Sequence, residues 1–248
     1  HERLVGSEMC IRDSLCPLCH AVDSAGHMLG SCTHKDITGL RILRHDDTVR
    51  QIAKAIRKSD NVPLSNCELY MDAGSAEDPD IAFEGSRLPD WLLPSLTSEQ
   101  RGKLRPDLLC ITVPIEVDRQ ETRVEVLKEV CTIYILEVGY CADTSYTDYI
   151  QDKAQQHVHL KDLLEAEGYK VIFPLPLLFG IGGTLYNTTL HTLTNILGIK
   201  ACKAKKTLHK IQHIAAARAH QLVKTRRYLE HTLLPSSSLP WATRKRFK

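Results

Sequence analysis

The segment that most constrains this chain runs from Arg105 to Lys153: RPDLLCITVP, a charged interruption, then TIYILEVGYCADTSYTDYIQDK. Two apolar, β-branched runs within it, Leu108–Val113 and Thr132–Val138, predict neighbouring buried strands. Each carries one acid at its edge, Asp107 and Glu137, and a carboxylate pair held on rigid strands suits an oxygen-loving divalent cation. Lys153 stands sixteen residues after Glu137, in a helix predicted over Tyr146–Gly168, close enough in sequence to fold back over the same strand ends. Asp, Glu and Lys around Mg2+ position a water and stabilise the charge that builds on a phosphate during cleavage.

Upstream, CPLCHAVDSAGHMLGSC places Cys16, Cys19, His27 and Cys32 in the spacing C-x2-C-x7-H-x4-C. Two thiolates on a tight knuckle, then an imidazole and a thiolate on a returning turn, supply four ligands for tetrahedral Zn2+. His20 and His34 are rival ligands. A unit this short buries almost nothing by itself, so the metal has to supply its folding free energy, on the order of 10 kcal/mol. Similar knuckles bind single-stranded nucleic acid or brace a neighbouring domain, and the short apolar surface here does not choose between these roles.

Asp36–Lys58 spaces Ile42, Leu43, Val49, Ile52, Ala53 and Ile56 helically and presents Arg44, His45 and Asp46 together near its first turns. The acidic, proline-punctuated Asn61–Lys103 predicts one strand, Cys67–Asp72, inside a long loop, with Asp78, Asp80 and Asp90 as solvated loop charges. Between the two core strands, Pro114–Glu129 predicts a hairpin extension. Glu116 or Asp118 there competes with Glu137 as the second acid, and the strand-end setting YILEVGY favours Glu137. Lys170–Pro174 predicts the next parallel strand, and Gly180, Gly182 and Gly183 a tight strand-to-helix turn. Thr184–Leu197 and Cys202–Leu234 predict two helices joined at Gly198.

The net charge of +2 hides an asymmetry: nine acids face one arginine between Asp60 and Gln100, whereas from Lys200 to Lys248 thirteen Lys and Arg face Glu230 alone. A cationic end suits a polyanion, and Lys203, Lys206, Lys210, Arg226 and Arg227 are its candidate nucleic-acid contacts. The closing TRKRFK reads as a further contact or a nuclear-entry signal, which sets the expectation of a nuclear protein. The nine cysteines are odd in number and mostly scattered among apolar residues, which argues for a reducing compartment over a disulfide framework. No apolar run reaches membrane-spanning length, so we expect a soluble protein with no signal peptide and no membrane partner.

Pro106-Asp107, a second acid on the next strand and a lysine resemble the PD-(D/E)xK nuclease superfamily. Its usual lysine sits two residues after the second acid, where this chain has Gly139. In the restriction-like endonuclease domain of site-specific non-LTR retrotransposons the lysine has moved onto the following helix, where Lys153 falls. That domain also follows a CCHC zinc knuckle and an Arg-His-Asp motif, and this chain has both in that order. The resemblance covers roughly residues 16–186. It implies an α/β fold, a small mixed sheet flanked by helices, as a nuclease domain over 36–186. A zinc knuckle over 15–35 stands in front and a basic helical extension over 187–248 behind. Residues 1–14 stay unassigned; Glu8–Ser14, EMCIRDS, resembles translated adaptor sequence from library preparation and reads as an artefactual terminus.

The activity implied by the resemblance is a Mg2+-dependent DNA endonuclease from the C-terminal end of a retrotransposon polyprotein. It would nick a chromosomal target so that the exposed 3′ end primes reverse transcription. Target DNA, element RNA and an upstream reverse transcriptase domain are the implied partners. Asp107 and Glu137, with Asp46 as a further ligand, would hold Mg2+, and Lys153 would orient the water or offset charge. Arg44, His45 and Arg105 would contact nucleic acid. The competing reading is a zinc-containing DNA-binding module without catalysis, and Gly139 is the residue that favours it.

Overall fold

Ile37, Val49, Ile52, Ala53 and Ile56 recur at helical spacing, and α1 (Lys35–Arg57) buries all five. The computed structural model describes residues 15–73, 84–114, 117 and 122–233. Asp78, Asp80, Glu116, Asp118, the Glu8–Ser14 segment and the TRKRFK tail lie outside the described residues. After α1 come α2 (Val62–Ser65), β1 (Glu68–Met71) and α3 (Ser98–Gly102), which opens on a capping box between Thr97 and Gln100. The chain continues through β2 (Leu108–Thr112), α4 (Val124–Val130), β3 (Thr132–Leu136), β4 (Val138–Cys141), α5 (Tyr146–Gln155) and α6 (Val158–Ala166). It ends with β5 (Lys170–Ile172), β6 (Leu177–Gly180), α7 (Asn187–His191) and the 33-residue α8 (Ala201–Leu233).

Four strands form one sheet in the order β1-β2-β3-β5, antiparallel except for the parallel pair β3 and β5. All five β2 residues are buried, so this strand is apolar on both faces and shows no alternation. Leu108 and Cys110 share one apolar layer with Val49, Ile52 and Ile56 of α1 and Leu208 and Ile211 of α8. Leu109 and Ile111 join Leu127, Leu160 and Leu164 in the other. The architecture is therefore mixed α/β, a small mixed sheet packed on two apolar layers. At roughly 1.5–3 kcal/mol per fully buried aliphatic side chain, these layers outweigh any single polar contact.

The second strand run does not end at Val138 as its sequence suggests. It crosses Glu137 and continues as β4, which leaves the first sheet and pairs in parallel with β6. The length of β2 explains the departure. Its first residue, Leu108, already faces Leu136, so β2 offers no ladder partner beyond that point. Glu137 thus stands where the strand changes neighbours, its carbonyl accepting from the Leu177 N–H at 2.7 Å.

Two residues on, Gly139 has no room for a side chain: a Cβ there would lie 2.9 Å from Leu178 Cδ2 and 2.9 Å from the Tyr149 ring. Gly139→Ala should therefore destabilise the fold by about 1–3 kcal/mol through overpacking. A lowered urea midpoint would show this, and an unchanged midpoint would mean that Tyr149 moves aside freely.

Three local expectations change. The described part of Pro114–Glu129 is not a hairpin; Val124–Val130 is helical because Leu127 turns into the second layer, while Val126 is 43% exposed. The Tyr146–Gly168 helix is broken into α5 and α6 at His157, which leaves helical geometry at φ −119° and ψ 19°. Thr184–Leu197 yields only α7 and a wide π-helical turn, Thr192–Ile196, before Gly198 turns the chain at φ +64°.

The C-terminal helix is integral to the fold. Ala204, Leu208 and Ile211 of α8 sit in the main core, and Leu222 and Leu229 pack with Cys16, Cys32 and Ile37. Among the described residues no helix is long and apolar enough to cross a membrane.

Candidate active site and metal centre

Asp107 precedes β2 and Glu137 follows β3, and the antiparallel register that opposes Leu108 to Leu136 brings the two acids together. The Val138 N–H, beyond the reach of the β2 ladder, donates to Asp107 Oδ2 at 2.7 Å. In return the Asp107 N–H donates to Glu137 Oε1 at 3.4 Å. Glu137 is 2% exposed, and a carboxylate so buried needs a cationic partner. Lys153 provides it from α5, with Nζ 2.9 Å from Glu137 Oε2. The break between α5 and α6 also brings the His157 ring against it: Nε2 lies 2.5 Å from Glu137 Oε1, in contact without hydrogen-bond alignment. Asp107, Glu137 and Lys153 thus converge, while His157 was read only as part of a helical stripe.

Helix α1 closes the site from the other side. His45 Nε2 lies 3.2 Å from Asp107 Oδ2 and Nδ1 lies 3.3 Å from Asp46 Oδ1, so the imidazole bridges the two acids. Burial works against its charge, yet both carboxylates outweigh that penalty and raise its pKa. Burial also pushes the Asp107 carboxyl up, but His45, the Val138 N–H and Lys153 prevail and hold it below the usual range. The Lys153 ammonium is shifted up for the matching reason: desolvation opposes it, and Glu137 with Asp107 overcomes desolvation.

Position 139 accounts for the displaced lysine in steric terms. Tyr149, one turn before Lys153 on α5, fills the space that a side chain at 139 would need. The amine arrives from α5 instead.

Asp107 and Glu137 offer the hard oxygen ligands that Mg2+ prefers. Among the described residues, however, the only group of three or more His, Cys, Asp or Glu with ligand atoms within 4.8 Å of one another is Cys16, Cys19, His27 and Cys32. Asp46 connects to the other two acids through His45 and is not gathered with them.

The knuckle fits zinc on donor chemistry and spacing. Cys19 Sγ and Cys32 Sγ are 3.8 Å apart, and a tetrahedron with Zn–S near 2.3 Å has an edge of about 3.8 Å. His27 Nε2 stands 3.1 Å from Cys19 Sγ, and its Nδ1 is 3.3 Å from the Ser31 hydroxyl, which orients the ring. The cluster leaves out His20 and His34. Burial opposes ionisation of Cys19, but backbone N–H groups of Ala21 and Thr33 and the neighbouring thiols lower its pKa to about 6.

Docking of this unit is covalent in sequence but electrostatic and apolar in space. Arg226 forks Asp23 with Nη1–Oδ1 at 2.7 Å and Nη2–Oδ2 at 2.5 Å, and its Nε donates to Glu230 at 2.6 Å. The knuckle is therefore a brace between α1 and α8.

Several cations read as nucleic-acid contacts are engaged inside the molecule. Arg44 is 2% exposed, donates to the Leu29 carbonyl at 3.0 Å and the Ile181 carbonyl at 3.3 Å, and stacks 4.2 Å over Tyr140. It ties the knuckle to the second sheet, so the expected phosphate contact gives way to a structural one. Arg226 is likewise held by Asp23 and Glu230. Arg105 pairs with Asp72 at 2.9 Å, and Lys203 with Asp60 at 3.0 Å. Lys206, Lys210 and Arg227 remain exposed on α8.

Arg226→Met should accordingly lower stability by about 1.5–3 kcal/mol, the cost of removing charged hydrogen bonds from a partly buried Asp23 and a buried Glu230. Lys206→Ala with Lys210→Ala should leave the urea midpoint unchanged and, if the chain binds DNA as its charge suggests, reduce the salt dependence of that binding by about two phosphate contacts. The reverse assignment of these two effects would show that Arg226 faces nucleic acid after all. No protein-family model and no curated relative matches this chain, so the functional reading rests on this geometry.

Proposed function

We propose that the chain is a metal-dependent DNA endonuclease of the restriction-like kind found in site-specific non-LTR retrotransposons. The observation that carries the reading is the convergence of Asp107, Glu137 and Lys153, supplied by three separate elements, on one buried spot. A divalent cation held by the two carboxylates would polarise the scissile phosphate and lower the pKa of a bound water. Lys153 orients that water or offsets charge on the phosphate, and its contact with Glu137 keeps the ammonium in place before substrate arrives. His45 holds Asp107 in its rotamer, and His157 packs against Glu137. The wider account of target-primed reverse transcription and a nuclear site of action belongs to the same proposal.

A second reading, a DNA-binding module without catalysis, draws on one observation: both Glu137 oxygens are already in contact with side chains of the chain, Lys153 at one and His157 at the other. Supercoiled plasmid separates the two. The nuclease reading expects open circles that require Mg2+ and vanish with Asp107→Ala. Tight, salt-sensitive binding without nicking would establish the binding module instead.

A further inference from the structure

Beside the two acids lies a cleft of about 190 Å3, walled by α1, β4, α5 and Gly30 of the knuckle. Among the described residues no carboxylate lines it, whereas Arg41, Arg44, His45 and Lys153 do. Lys153 and His45 are answered from behind the wall by Glu137, Asp107 and Asp46, which leaves the two arginines without an acidic partner among the described residues. Arg41 donates to the Cys32 carbonyl at 3.1 Å, and among the described residues no carboxylate pairs with it. Arg44 is buried at the same cleft with an Nε that has no hydrogen-bond partner.

An anion in the cleft would pair with Arg41, and a guanidinium fork matches the oxygens of a phosphate. The size selects the ligand further. Pockets for drug-sized molecules begin near ~300 Å3, so this one admits a phosphodiester with its sugar. Tyr149, whose ring closes the space over Gly139, supplies an aromatic wall of the kind on which unpaired bases stack.

We propose that this cleft seats a phosphodiester of a single nucleic-acid strand next to the bond that is cut, with Arg41 as its charged contact and Tyr149 as the surface for the attached nucleoside. The position relative to the cut rests on the nuclease reading; the binding site itself does not.

The test is fluorescence anisotropy of a labelled ten-nucleotide DNA strand on the zinc-loaded full chain without Mg2+, with zinc content and urea midpoint recorded for every variant. Arg41→Gln should weaken binding about tenfold and flatten the salt slope by about 0.7, one single-strand phosphate contact. Arg41→Lys should recover part of the loss. Ile42→Glu adds an acid to the cleft wall at a side chain that is 55% exposed. It should weaken binding at least as much without unfolding the chain, and it decides the matter if Arg41→Gln proves unstable.

Parental affinity in Ile42→Glu, or in a folded Arg41→Gln, would overturn the proposal. Displacement of the strand by inorganic phosphate alone at equal concentration would overturn the strand assignment. Arg41-dependent binding in a protein that never nicks would sink the nuclease reading and leave this site standing; nicking with Arg41-independent binding would do the opposite.

Discussion

Lys153→Met is expected to slow nicking by about 10²–10³-fold at saturating DNA, the usual loss when one preorganised donor to a developing anionic charge is removed. DNA affinity should stay close to that of the parent, because Lys153 sits over Glu137 and not on the exposed face of α8. Methionine keeps most of the apolar stem, so the packing of α5 on β4 survives. A nearly buried Glu137 loses its ammonium partner in this variant, so the urea midpoint should fall as well. Asp107→Asn should behave alike, with nicking lost and the fold intact. A Lys153→Met protein that nicks at the parental rate would remove the lysine from the mechanism and leave the two acids without a catalytic partner.

Stripping the knuckle of metal should have the largest effect on stability. Apparent zinc affinities of such small units are about 10–16 kcal/mol, and here the unit is not an independent bead. Cys16 and Cys32 belong to the same apolar cluster as Ile37, Leu222 and Leu229, so loss of zinc exposes parts of α1 and α8 as well. One zinc per chain is expected by elemental analysis, and a chelator should lower the melting temperature and increase proteolysis within α8. Cys32→Ser should reproduce both changes. A chelated protein with an unaltered melting temperature would show that the side chains around the knuckle hold it without metal.

The trio Asp107, Glu137 and Lys153 was legible because β-branched runs announce strands and acids at strand ends share one edge once neighbouring strands are antiparallel. His157 was not legible. Its place depends on a break between α5 and α6, and no Pro or Gly marks that break in TDYIQDKAQQHVHLKDLL. The hairpin reading of Pro114–Glu129 failed over Val124–Val130, where the buried Leu127 decides in favour of a helix. Charge composition misplaced Arg226 because its acid partner, Asp23, lies 203 residues away in sequence. The cluster of Cys16, Cys19, His27 and Cys32, able to hold a metal ion, was legible from spacing alone; that the knuckle braces α1 and α8 required the fold.

The direct test of the central claim is a crystal of the chain grown with Mn2+ and measured at the manganese absorption edge. The account predicts an anomalous peak touching carboxylate oxygens of both Asp107 and Glu137, with Lys153 Nζ nearby but outside the coordination sphere. A structure with zinc in the knuckle, no such peak, and Glu137 still bound to Lys153 and His157 at saturating Mn2+ would contradict it.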